Sequence, residues 1–221
     1  MAIGDIHGHR SALQGLIRKL DLRADDKLIF LGDYINRGPD SRGVVDELLE
    51  LKSNYDVVLV MGNHEQALIE ARHNPSMLDR FLATCESRFF DSYKCMPDLD
   101  AIPAEHWEFF DQLQDIHVEQ DFFFTHANYA PNMALDSQPS NWLRWCGIDD
   151  HRPSRHYSGK TGIVGHAPQM NKTILDLGHC IGIDTGCGMG GVLTALDVNA
   201  REIYQVDEQG NDVETGLPAD R

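Results

Sequence analysis

The sequence contains no run of about 18 apolar residues, so nothing in it reads as a membrane-spanning helix. Cationic residues are also short: 19 Lys and Arg stand against 35 Asp and Glu, a formal charge of −16. Phosphate backbones and anionic lipid surfaces are held chiefly by Lys and Arg, so this balance argues against nucleic acid or a membrane as partner. A small anionic substrate remains open, provided the site carries positive charge of its own. Thiols are few. Cys85, Cys95, Cys146, Cys180 and Cys187 are odd in number and form no close pairs, which excludes a thiolate metal motif and argues against a disulfide framework. A reducing cytoplasm is the default reading. Motif-like polar residues begin at position 4, leaving no room for a signal peptide. No repeat, low-complexity tract or linker divides the chain. One domain is expected over residues 1–206, with an acidic, frayed tail over 207–221.

What is present is an alternation of short apolar runs and helical periods. Met1 to Ile3 runs into GDIHG, a very short or trimmed first strand. Leu13, Leu16, Ile17 and Leu20 recur at helical spacing. Lys27 to Leu31 reads as a buried strand ending in GDYINRGPDS, and a helix around Val44–Leu51 follows, with Asp40 or Ser41 available as its cap. Val57 to Met61 is a third strand, ending in GNHE. This βαβαβ order builds a parallel sheet. Residues 66–114 are mostly helical in pattern. Strand signals return at 121–125, 161–164, 173–183, 192–198 and in EIYQV.

The chemistry sits at strand ends, where open α/β sheets bind ligands. Asp5 and His7, Asp33, Asn63 and His64, His126 and His166 each follow an apolar run. Singly these are bland, since Gly-Asp after a strand is a common cap and a lone buried His is usually a hydrogen-bonded core residue. Five strand-end sites arriving in order are far harder to assign to packing. Asp, His and Asn donors suit Mn, Fe or Zn better than Ca or Mg.

GDIHG, GDYINRG, GNHE, a TH followed by a GH, and IDTGCGMGGVLTAL together resemble the phosphoprotein phosphatase branch of the metallophosphoesterases, from residue 4 to about 198. The chain's size and the segment containing Trp142 and Arg144 are similar to small bacterial and phage serine/threonine phosphatases. The resemblance implies an α/β fold, a metallophosphoesterase-type β-sandwich flanked by helices. It implies one metal on Asp5, His7 and Asp33, and a second on Asp33, Asn63, His126 and His166. The ions would be two divalent cations, Mn or an Fe/Zn pair, sharing the hydroxide that attacks phosphorus. His64 would protonate the leaving oxygen, and Arg37 and Arg144 would fork onto the phosphoryl group. The bland alternatives are an ion pair within its own loop for Arg37, and a stacked arginine at the core edge for Arg144.

One position departs from the pattern. Asn36 stands where relatives carry an Asp that orients the GNHE histidine, and an amide lacks the charge that favours imidazolium. His64 is therefore expected to be a weaker acid, most costly for poor leaving groups. The function expected first is a serine/threonine protein phosphatase acting on a phosphorylated protein or small phosphoester, with GNHE, Arg37 and the short chain in its favour. The alternatives are a dinucleoside polyphosphate hydrolase and, because of Asn36 alone, a non-catalytic phosphoprotein binder. No regulatory subunit is readable. His151 to Lys160 is a basic loop, either a lip that captures anions or a solvated turn. His9, His73, His106, His117 and His179 are expected on exposed or helical positions, and Cys187 in packing.

Overall fold

Apolar runs too short for helices pair as strands, and the helical periods between them cover one face. In the computed structural model, which describes residues 1–85, 88–95 and 97–214, β1 (Ala2–Ile3), β2 (Lys27–Phe30) and β3 (Asp56–Leu59) run parallel, with Ile3, Phe30 and Leu59 in register. A second group comprises β4 (Ile116–Val118), β5 (Phe122–Thr125), β6 (Thr161–Val164), β7 (Leu175–Asp176) and β8 (Cys180–Gly182). It forms a sheet in the order β4-β5-β6-β8-β7, whose β5, β6 and β8 are parallel. The segment read as one strand over 173–183 is thus two antiparallel strands, β7 and β8. Finally β9 (Val192–Leu196) and β10 (Ile203–Asp207) add antiparallel to β1, completing the first sheet as β10-β9-β1-β2-β3.

Period-two alternation explains why Lys27–Leu31 is apolar throughout. Leu28 and Phe30 face a helical layer, while Ile29 and Leu31 face the other sheet. Between the sheets Ala2, Ile29, Leu31 and Val58 meet Phe124, Ile163 and Ile181 in one buried cluster. Helices α1 (Arg10–Leu20) and α2 (Ser41–Asn54) close the outer face of the first sheet through Leu13, Leu16, Val44, Val45 and Leu48. Of the two candidate caps of α2, Asp40 takes the helix, accepting from Gly43 N at 2.9 Å. Ser41 Oγ instead accepts from Asn36 N at 2.9 Å, steadying the loop before it.

The middle of the chain breaks into α3 (Asn63–His73), α4 (Leu78–Cys85), α5 (Arg88–Ser92) and α6 (Ala104–Asp111). Its aromatic residues Phe81, Phe89, Phe90, Trp107 and Phe110 join the core formed by α1 and α2. His106 is fully buried rather than peripheral, bonded to Tyr93 Oη at 2.8 Å and to Asp46 at 2.9 Å. Its partners lie 13 and 60 residues away, which local spacing does not reveal. Among the described residues no helix is long and apolar enough to cross a membrane.

The first part of the expected frayed tail is folded. β10 ends at Asp207, and Val213 N donates back to Gln205 O at 3.2 Å. Residues 215–221 lie outside the described residues. The turn at Gly210 sits on α1 so closely that a Cβ on Gly15 would lie 2.3 Å from Gly210 O. Helix propensity alone favours Ala over Gly by about 1 kcal/mol. Here the backbone contact should reverse that sign, and Gly15→Ala is expected to cost about 1–3 kcal/mol in chemical denaturation. A gain in stability would show that the turn is not seated on the helix.

Candidate metal centre

All six parallel strands deliver polar side chains just past their C-terminal ends. β1 leads to Asp5 and His7, β2 to Asp33, β3 to Asn63 and His64, β5 to His126, β6 to His166, and β8 to Asp184. Asp33 is the hub where the two sheets' contributions meet. Its Oδ2 lies 3.6 Å from His7 Nε2 and 3.9 Å from His64 Nε2, and its Oδ1 lies 3.5 Å from His126 Nε2. On the far side Asn63 Oδ1 is 2.9 Å from His126 Nε2 and 3.0 Å from His166 Nδ1. Two groups of candidate donors share Asp33: His7, Asp33 and His64, and Asp33, His126 and His166. With Nδ1 of His64 taken by Asn36, a cation in the first group would rest on His7 and Asp33.

The donor chemistry fits metal ions. His126 Nδ1 donates to Leu31 O at 2.8 Å and His7 Nδ1 to Ile35 O at 3.2 Å. These carbonyls fix the tautomers that turn each Nε2 lone pair toward the centre. His126 Nε2 then faces His166 Nδ1 at 3.1 Å and the Asn63 carbonyl oxygen. In the tautomer that leaves His166 Nδ1 unprotonated, three lone pairs meet here, and a cation among them would relieve their repulsion. Asp5 stands slightly behind, both carboxylate oxygens accepting from His166 N at 3.2 and 3.1 Å.

Electrostatics agree. Burial, then the charges of Asp184 and Asp33, push Asp5 well above the usual carboxylate range. Asp184, chiefly through burial, is pushed up to about 6. Burial would raise Asp33 too, but His126, His64, His7 and His166 around it hold it low. Burial also lowers His7, His64 and His126, and brings His166 down to about 4. Three buried carboxylates among neutral imidazoles are a site short of positive charge. Asp184 was not singled out from sequence, although it follows a strand inside IDTGC as the other candidate residues follow theirs.

The backbone is bent to make this cluster. His7, Asp33, Asn36, Arg37 and His166 all have φ between 47° and 73°. Non-glycine residues rarely hold the left-handed region, and doing so costs roughly 1–3 kcal/mol each. Glu65 supplies the restraint. Fully buried, its Oε1 accepts from Tyr34 N (2.9 Å) and Ile35 N (3.3 Å), and its Oε2 from Asp33 N (2.9 Å) and Gly62 N (3.1 Å). Gly62 must lack a side chain, because a Cβ there would lie 2.2 Å from Asp33 Oδ1. Glu65 is the third residue of α3, where a capping-box acid reaches back to the helix start; that spacing was the signal for its role.

The remaining predicted residues separate. Asn36 Nδ2 donates to His64 Nδ1 at 2.8 Å, while Asn36 Oδ1 is buried without a partner among the described residues. Arg37 has no acid partner there, so the loop ion pair is not formed, and its charge acts on Asp5, His7, His64, His166 and Asp184. Arg144 is engaged: Nε donates to Asp115 Oδ1 at 2.9 Å, and Nη2 bonds the same oxygen. The basic loop is anchored on the outer side of the second sheet. Its Ser154 O accepts from Tyr129 Oη and its Pro153 O from His179 Nε2, so this part of the loop is tied to that layer, while Arg152 and Arg155 are exposed. Cys187 is buried, its Sγ donating to Ile6 O at 3.6 Å.

Comparison with known proteins places this geometry. The model of the calcineurin-like phosphoesterase family matches residues 1–194. The symmetrical bis(5'-nucleosyl)-tetraphosphatase of Ralstonia nicotianae is 26% identical, covering 96% of this chain and 95% of its own. The asymmetrical bis(5'-nucleosyl)-tetraphosphatase PrpE of Oceanobacillus iheyensis is 25% identical, with 92% and 90% covered. A crystal structure described as a candidate diadenosine tetraphosphatase superposes with a TM-score of 0.70 at 24% identity, covering 93% of this chain and 91% of that one.

The clamp has a pH signature in metal-free protein. Burial, with the Asp33 charge added, pushes Glu65 up to about 8, against the N–H groups that favour its ionised form. An unfolded chain releases that proton near about 4.3. Folded protein therefore holds a proton that unfolded chain has lost, so stability falls as pH rises through this interval and levels off above the folded value. The histidines act oppositely, but their contribution is complete above about 6.5. In chelator, the thermal midpoint should fall between pH 6.5 and 8, and Glu65→Gln should make that slope shallower. An unchanged slope in the variant would contradict this origin.

Proposed function

The chain belongs to the calcineurin-like phosphoesterase family, and from that premise we propose that its substrates are dinucleoside polyphosphates, cleaved at a phosphoanhydride bond. The observation that carries this is the amide behind His64. With Asn36 Nδ2 donating to Nδ1, His64 is neutral and keeps its proton on Nε2, the nitrogen on the Asp33 side. Reversing the amide would leave a buried N–H₂ without an acceptor in place of the orphaned carbonyl, the costlier of the two. A neutral imidazole offers a hydrogen bond to a departing oxygen but is a feeble acid. A serine alkoxide needs a proton as it leaves. A nucleoside phosphate does not, because its oxyanion is weakly basic, with a second pKa of about 6.

The names of the relatives support the same substrate class. The features that favoured a serine/threonine phosphatase weigh less once the fold is known. Glu65 of GNHE is spent on backbone N–H groups, and chain length does not separate the two classes when these tetraphosphatases are covered over 90% or more of their length. Bound divalent ions, Mn²⁺ being well suited to these donors, would supply charge neutralisation and an acidified water. The chain's own residues do the rest. Asp33, held in place by Glu65, orders the two donor groups about one carboxylate. Arg37 presents an unpaired guanidinium to the phosphoryl oxygens. Arg144, fixed by Asp115, adds positive potential beside His126.

With Mn²⁺ supplied, kcat/KM on diadenosine tetraphosphate should exceed that on a phosphoserine peptide by tenfold or more, on the order of what one well-placed acid contributes. Asn36→Asp should raise the peptide rate by about as much and leave the anhydride rate within about twofold. A wild-type preference for the peptide, or no gain from the carboxylate, would overturn the reading.

A further inference from the structure

Arg88 is the one described cation that the helical segment between α3 and β4 sets beside Arg37. It opens α5, whose Phe89 and Phe90 are buried, so the helix is seated while the Arg88 side chain is exposed. Ser92 at the other end of α5 accepts from Arg42 N at 3.1 Å, tying α5 to the start of α2. Arg88 Nη1 donates to Arg37 O at 3.4 Å, the carbonyl of one of the left-handed loop residues. The Arg88 charge also bears on His9, whose ring lies against Gly38 of the same loop.

Neither Arg37 nor Arg88 has a carboxylate partner among the described residues, whereas Arg10, Arg42, Arg72, Arg144 and Arg201 each do. Glu208, the acid on this rim, accepts from Gly188 N and Gly190 N and faces His9 at 3.8 Å. Other arginines without an acid partner among the described residues occur elsewhere on the surface, but these two meet at the loop after β2, where Arg88 bonds the Arg37 carbonyl. Two arginines brought to one loop without carboxylate partners in a chain of net charge −16 suit an anion lying across them. The Arg37 charge acts on Asp5, His7 and His64, and Arg88, held to the Arg37 carbonyl, is the more exposed of the two.

We propose that Arg88 is a specificity residue that, with Arg37, binds the phosphate adjacent to the one being hydrolysed. The inference rests on the polyphosphate reading above and adds the residue that recognises the chain beyond its first phosphate. A guanidinium fork suits a phosphate's oxygens, and its planar geometry is not reproduced by Lys. A monoester has no second phosphate and never reaches Arg88.

The test is Arg88→Ala in the Mn²⁺-loaded protein, assayed on diadenosine tetraphosphate and on p-nitrophenyl phosphate, with inorganic tripolyphosphate and orthophosphate as inhibitors of the second reaction. The expected result is a rise of about tenfold in KM for the dinucleotide and in Ki for tripolyphosphate. Aryl phosphate kinetics and orthophosphate inhibition should stay unchanged, and Arg88→Lys should recover only part of the loss. An equal fall on both substrates would mean that Arg88 merely props the Arg37 loop, and would overturn the proposal. So would an unchanged tripolyphosphate Ki. If the wild type hydrolyses phosphopeptides but not the dinucleotide, the functional reading fails by itself, and the tripolyphosphate comparison still decides for or against the Arg88 subsite.

Discussion

One buried carboxylate organises this active centre. Glu65 gathers the N–H groups of Asp33, Tyr34, Ile35 and Gly62, joining the loop after β2 to the turn that opens α3. Without that acceptor four buried donors would lack a partner, at about 1–3 kcal/mol each. The left-handed backbone at Asp33, Asn36 and Arg37 would also lose its restraint. Because Asp33 is the only acid shared by both donor groups, its placement fixes the spacing of everything around it. Strain in the loop is tolerated because a buried carboxyl group accepting four N–H bonds and a close-packed glycine leave it no alternative.

The same geometry reconciles an acidic protein with an anionic substrate. Formal charge is −16, and the centre itself gathers Asp5, Asp33 and Asp184 among histidines that burial keeps neutral. Bound cations are the largest charges in such a site and reverse its local sign. Arg37, without an acid partner among the described residues, then adds to that positive field. What the substrate meets is local charge, not the chain's total.

Much of this was legible before the structure. Apolar runs ending in Gly-Asp or Gly-Asn, and a TH and a GH after later runs, located five strand ends and the residues that converge there, because strand direction and the parallel order dictate which edge they share. Partners distant in sequence were not legible. Asp115 takes Arg144 from 29 residues away, His106 is satisfied by Tyr93 and Asp46, and the turn at Gly210 rests on Gly15. None of these leaves a local period. GNHE was weighed as a mark of substrate class, while the bonds its Glu65 makes to the loop after β2, some 30 residues earlier, were not legible. The composition of the basic loop left open an anion-capturing lip or a solvated turn, and the bonds that Pro153 and Ser154 make to His179 and Tyr129 leave no local period either.

Shared by both donor groups, Asp33 would hold two divalent cations. Electron paramagnetic resonance of the protein titrated with Mn²⁺ tests it most directly. The account predicts two ions bound per chain and a spin-coupled spectrum at saturation, with coupling lost in Asp33→Asn. A single ion per chain, or two ions giving only the uncoupled six-line signal, would contradict it.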